Sequence, residues 1–199
     1  MHLHFYWSPA YLNTAATIGT FFVILATAIA AAIQLRHMAV KTQLQALANI
    51  LQDFRSPELQ EALRYVQGYL DQKMHDPKYR EELARIGFID AREHPEMTVC
   101  NWFNEMGTLI KNQIVDPDIF FDHFGRLINQ YWKLLAPPIA ILRRRRGPQQ
   151  YQNFEYLAAL AQQWTKQHPH GIFPKHVPHM DVSDVWLEAD AEPRRAAHV

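Results

Sequence analysis

TIGTFFVILATAIAAAIQLRHM, residues 17–38, has three readings: a membrane span, a cleavable export signal, or a helix buried in a soluble core. Charge placement separates them. Residues 1–35 hold no Asp, Glu, Lys or Arg, so all 20 basic and all 20 acidic residues lie from Arg36 onward. The overall net charge of zero hides this asymmetry. The stretch 11–35 rises about 37 Å as a helix, enough to cross a hydrocarbon core of roughly 30 Å. A core helix of that length would carry scattered charge or a polar face. The soluble-core reading is therefore set aside.

The export signal is the closer rival, because small residues alternate at Ala26, Ala28, Ala30 and Ala32. Against cleavage, no Lys or Arg precedes the apolar run, and the run exceeds the ~7–15 residues of a signal's apolar region. The flanks fit an anchor. Phe5, Tyr6, Trp7 and Tyr11 precede it as interfacial rings, and Arg36, His37 and Lys41 follow it. Positive residues stay on the cytoplasmic side, so the expected topology is N-terminus outside and body inside. Expected segments are an extracytoplasmic 1–10, a transmembrane helix 11–35, a cytoplasmic helical domain 36–167 and an irregular tail 168–199. The single cysteine, Cys100, needs no oxidising compartment and reads as a small core residue.

Beyond the anchor the apolar spacing is helical. Val40, Leu44, Leu47, Leu51 and Phe54 continue the first helix, as a stripe packing on the chain's own domain or as a short seam between two copies. Ser56-Pro57, Asp76-Pro77 and Asp116-Pro117 each set a capping oxygen before a proline, with His94-Pro95 a looser version. They predict helices at 57–72, 77–86, 95–112 and 117–135, with Gly87 ending the second. Pro137-Pro138 should bend or break the fourth, and Gly147-Pro148 should separate a last helix at 149–166. No run alternates with period two. The expected fold class is all-α, a membrane helix followed by a helical bundle.

Each helix offers one apolar face: Leu59, Ala62, Leu63, Val66 and Leu70; Val99, Trp102, Phe103, Met106 and Ile110; Phe120, Phe124, Leu127, Tyr131 and Leu135; Phe154, Leu157, Ala161 and Trp164. Four such faces close one core. Core packing, not a cofactor box, is the role expected of Trp102, Trp132 and Trp164.

The stretch FNEMGTLIKNQIVDPDIFFDHFGRLINQYWKLLAP, residues 103–137, resembles a bacterial family described only as a domain of unknown function. IQLRHMAVKTQLQAL (33–47) and RRGPQQYQNFEYLAAL (145–160) are similar to it as well. The resemblance implies one N-terminal span with a helical cytoplasmic domain, and it carries no catalytic residues.

Candidate chemistry is sparse. P-loop, GxGxxG, HExxH, GxSxG and CxxC patterns are missing, and no cofactor is implied. Glu105 and His123 flank the apolar faces of neighbouring helices. They are expected to meet as a buried carboxylate–imidazole pair, or to stay half-exposed. His168, His170, His176 and His179 are close enough to chelate Zn, Ni or Cu. Yet Pro169, Pro174 and Pro178 interrupt them and no periodic element holds them, so no metal site is assigned. Small residues four apart, Ala15/Gly19 and Ala26/Ala30, leave self-association open. Arg143, Arg144, Arg145 and Arg146 form the chain's one run of four like charges. They read as a helix end or as a contact for an anionic lipid surface. Nucleic acid is disfavoured, since no helix bears a basic stripe. The function these features favour is a membrane-anchored binding or regulatory module with an unidentified protein partner. The alternative is a membrane-anchored enzyme with a site between helices, and the location is a bacterial cytoplasmic membrane.

Overall fold

In a computed structural model, residues 9–85, 87 and 89–186 are described. Among them the chain is all-α, with seven helices: α1 (Pro9–Phe54), α2 (Pro57–Gly68), α3 (Leu70–Met74), α4 (Pro77–Leu83), α5 (Glu96–Lys111), α6 (Pro117–Arg146) and α7 (Gln152–Gln167). The chain divides into two compact units, residues 1–167 and 168–199. The aromatic residues Phe5, Tyr6 and Trp7, and the last thirteen residues of the tail, lie outside the described residues.

One unbroken helix, α1, has 46 residues and is therefore about 69 Å long. Every side chain from Thr17 to Met38 is exposed, Phe21, Phe22 and Ile24 at more than 60 %. The helix is long and apolar enough to cross a membrane, a description that a signal sequence near an N-terminus also meets. Of the stripe expected from Val40 onward, the Val40 side chain lies outside the described residues. Leu44 is exposed, whereas Ala46, Ile50, Leu51 and Phe54 join the core. Ile50, which lies off that stripe, is the most deeply buried of them.

Three of the four proline-preceding caps form as expected. Ser56 Oγ accepts from Leu59 N at 3.4 Å, Asp76 Oδ1 from Lys78 N at 2.9 Å, and Asp116 Oδ1 from Asp118 N at 2.9 Å. Each side-chain oxygen satisfies a helical N–H that has no partner of its own. His94-Pro95 does not cap; the imidazole turns inward instead. The helix expected over 57–72 is interrupted at Tyr69, and α3 resumes at the buried Leu70.

Pro137-Pro138 does not break the fourth helix: α6 runs through both prolines to Arg146. A proline inside a helix costs about 3 kcal/mol. Burying a Leu or Ile side chain contributes about 1.5–3 kcal/mol. Leu135, Ile139, Ile141 and Leu142 all bury around the prolines, and Pro138 buries with them, so packing outweighs the lost hydrogen bonds. Gly147, at φ +92°, then ends the helix in a conformation that side-chain-bearing residues resist.

The core forms where α7 packs against both α5 and α6. Phe103 stacks on Phe154 with ring centroids 4.8 Å apart, and Phe54, Trp102 and Phe124 form a mutual cluster at 5.1–5.7 Å. Trp102 and Trp164 are buried, and Trp132 is half-buried edge-on to Phe154. Gly107 lets α5 approach α7: a Cβ there would collide with the Asn153 carbonyl oxygen. Asn153 Nδ2 also donates to Thr108 Oγ1 across this seam at 2.9 Å.

In the second unit the described residues form no helix, and the Phe173 ring stacks on His179 at 4.0 Å.

Candidate functional site

Glu96 opens α5, where an acidic side chain suits the positive end of the helix dipole. It is also three and four residues before Val99 and Cys100, so helical phase turns it into the core. Its exposure is 0 %, and that of His94 is 2 %. Around the carboxylate a polar chain has formed. His94 Nδ1 donates to Glu96 Oε1 at 3.0 Å, and Tyr79 OH donates to the same oxygen at 2.6 Å. The Tyr79 hydroxyl also meets the Tyr65 hydroxyl at 3.1 Å. On its other side, His94 Nε2 faces Glu82 Oε2 at 3.5 Å, and the imidazole leans on the Tyr79 ring at 4.6 Å. The second carboxylate oxygen, Glu96 Oε2, is buried without a hydrogen bond.

This cluster costs stability. A charge taken from water loses several kcal/mol of hydration, recovered only where the partners are well placed. Its neighbours record the field. Burial, then the bond to Glu96, push the Tyr79 phenol far above its ordinary range. Burial, then the Glu96 charge, push the Cys100 thiol well up, so Cys100 stays protonated and inert. Burial also raises Tyr65.

Tyr65 belongs at once to this buried chain and to the surface. It lines a cleft of about 610 Å³ between α2, the turn before α5 and the start of α5. Glu58, Glu61, Arg64, Tyr69 and Arg92 line it as well. The Tyr65 and Tyr69 rings stack at 6.2 Å along its wall. The cleft is thus aromatic, carries both charge signs, and is backed by buried polar groups that its own wall residue touches.

The pair expected from helical phase, Glu105 and His123, does not form. Both side chains are exposed and no hydrogen bond or ion pair joins them. Glu105 lines, with Asp53 and Trp102, a depression that adjoins the cleft through Glu58 and Thr98, and His123 rests edge-on against Phe124 at 4.5 Å. The carboxylate–imidazole pair that exists is His94–Glu96. Its signal was legible: Glu96 shares the phase of Val99, Cys100 and Phe103, so an acidic residue stood on a buried face.

The four arginines divide. Arg143 donates to Gln150 O at 2.9 Å and to Glu155 Oε2 at 2.7 Å, while Arg146 Nη2 donates to Gly87 O at 2.6 Å and holds the segment after α4. Arg144 and Arg145 point into solvent. Among the described residues no three His, Cys, Asp or Glu side chains gather as metal ligands, the tail histidines included.

The sequence profile of a domain of unknown function, DUF4760, matches residues 21–164. The chain belongs to the DUF4760 family. The DUF4760 match begins inside α1 and ends in α7, so it takes in the cleft and every member of the polar chain. No curated protein and no solved structure matches the chain.

Proposed function

We propose that this DUF4760 protein is a single-span, membrane-anchored binding module whose ligand sits in the cleft walled by Tyr65 and Tyr69. The observation that carries the reading is the cleft itself, backed by a buried Tyr79–Glu96–His94 chain that an ordinary core would replace with apolar side chains. Its volume lies within the roughly 300–1,000 Å³ of ligand sites. The anchor is α1, with its N-terminus outside a bacterial cytoplasmic membrane and the bundle in the cytosol. Arg36 and Lys41 support that orientation, and the lack of Lys or Arg before a long apolar run supports an uncleaved span. Arg144 and Arg145 are the two arginines left for contact with an anionic surface.

The second reading, a membrane-anchored enzyme, draws on the buried imidazole–carboxylate pair. His94 and Glu96 are sealed from solvent, so a substrate would meet Tyr65 before either of them. That arrangement favours binding over acid–base work.

The test has two parts. In intact cells, an impermeant thiol probe should label a cysteine placed at Ser8 and spare one at Gln167; the buried Cys100 adds no background. A photo-crosslinking side chain at Tyr69 should give adducts in native membranes that one at Lys133, in a depression sharing no residue with the cleft, does not. Equal adducts from both positions, or labelling of Gln167 alone, would reject the proposal.

A further inference from the structure

The hydroxyl chain that ends in the cleft has a direction. Tyr79 has one hydroxyl proton, and it is donated to Glu96 Oε1. In the 3.1 Å contact between the two hydroxyls, Tyr79 therefore accepts and Tyr65 donates. With its proton engaged, the Tyr65 oxygen has only lone pairs left to offer. Each O–H in such a chain polarises the next, so this oxygen is a stronger acceptor than that of an isolated phenol.

The rest of that wall has the same preference. Glu58 and Glu61 are acceptors only, and as like charges one helical turn apart they repel each other mildly. The stacked rings of Tyr65 and Tyr69 present π-faces that attract cations. Arg64 and Arg92 add two guanidinium forks, the geometry that grips a carboxylate through paired hydrogen bonds. Glu61 and Arg64 are three residues apart on one helix and within reach of each other. Even so, among the described residues none of Glu58, Glu61, Arg64 and Arg92 is ion-paired. Both signs are thus left available to a ligand.

We infer that the cleft takes a small zwitterion bearing a guanidinium or ammonium group and a carboxylate. The cation lies against Tyr65, Glu58 and Glu61, and the carboxylate lies on Arg64 and Arg92. This deepens the binding reading above and rests on it.

The experiment titrates the full chain in detergent micelles with three probes, following the tyrosine ring resonances. 4-Guanidinobutyrate carries both charges, agmatine lacks the carboxylate, and glutarate lacks the cation. The expected result is saturable binding of 4-guanidinobutyrate at least about tenfold tighter than either other probe, a gap of about 1.4 kcal/mol. Tyr65→Phe and the double change Glu58→Gln, Glu61→Gln should each weaken it. Arg64→Ala with Arg92→Ala should reduce 4-guanidinobutyrate to the affinity of agmatine. Lys133→Gln, in a depression that shares no residue with the cleft, should leave the titration unchanged, and far-UV circular dichroism should show each variant folded. Equal affinity for 4-guanidinobutyrate and agmatine, or binding of glutarate alone, overturns the zwitterion while leaving the cleft as the binding site. If no probe titrates but Tyr69 still crosslinks in membranes, the ligand class is wrong. If neither occurs, the binding reading falls with it.

Discussion

The seam between α5 and α7 and the corner between α4 and α5 differ in what lies at their centres. At the seam, Phe103 and Phe154 stack and Gly107 admits a backbone, with the neutral, part-buried Asn153–Thr108 hydrogen bond beside them. At the corner, Tyr79, His94 and Glu96 are buried, yet they meet through polar atoms around a carboxylate. Non-directional apolar contact tolerates adjustment. A buried carboxylate tolerates little, because each missing partner leaves charge in a poor solvent. The seam therefore accounts for the stability of the bundle, and the corner points to what the bundle is for.

The contrast can be broken by substitution, with the full chain unfolded by urea in micelles. Phe124→Ala and Trp102→Ala should each lower stability by about 3–5 kcal/mol, as removal of a large buried ring does. Unmoved midpoints would mean the aromatic cluster is not the stabilising region. At the corner, His94→Ala should cost about 3 kcal/mol by leaving Glu96 without its closest cation-capable partner. The paired change His94→Phe, Glu96→Leu should then recover wild-type stability or exceed it. A double variant no better than the single one would show that the polar chain stabilises the fold on its own account. Gly107→Ala should cost about 1–3 kcal/mol, since the new methyl meets backbone rather than a movable side chain.

Alkaline pH tests the burial of titratable groups in both regions. Among the raised groups are Cys100 and Tyr79 beside the corner, and Tyr151 just before α7, which donates to Asn101 Oδ1 of α5 at 3.0 Å; their ordinary values are 9.0 for the thiol and 10.0 for the phenols. Each keeps its proton in the folded chain above the pH at which the unfolded chain releases it. Their contribution is therefore complete below pH 9 and is lost as pH rises. The expected decline starts near pH 9 and steepens above 10, by at most about 1.4 kcal/mol per pH unit for each group. Stability flat to pH 11 in the wild type would contradict the burial of these groups. The smallest effect is expected in the arginine run: about 1 kcal/mol for Arg146→Ala, which loses bonds to the segment after α4. The pair Arg144→Ala, Arg145→Ala should stay within about 0.5 kcal/mol.

How legible all this was varied with the kind of force involved. The apolar faces of α2, α5, α6 and α7 were readable because period and burial coincide along a helix, and the caps at Ser56, Asp76 and Asp116 because they are local. Phase also places Glu96 on a buried face, whereas Glu105 and His123 flank the apolar stripes without entering them. The break expected at Pro137-Pro138 does not occur, since a local penalty can be seen in two letters and the packing that offsets it cannot.

By itself the sequence determined a charge-free apolar leader, an all-helical body, its proline-marked helix starts and its family. Those properties depend on residues within a few turns of one another. Only the tertiary structure decided that α6 continues past Pro138 and that Arg143 and Arg146 hold the fold while Arg144 and Arg145 face water. It also decided that Tyr65, Tyr79, His94 and Glu96 form one polar chain at the edge of a cleft. Their meeting depends on how α2, α4 and α5 pack, and packing is set by the shape of the whole core rather than by any stretch of the chain.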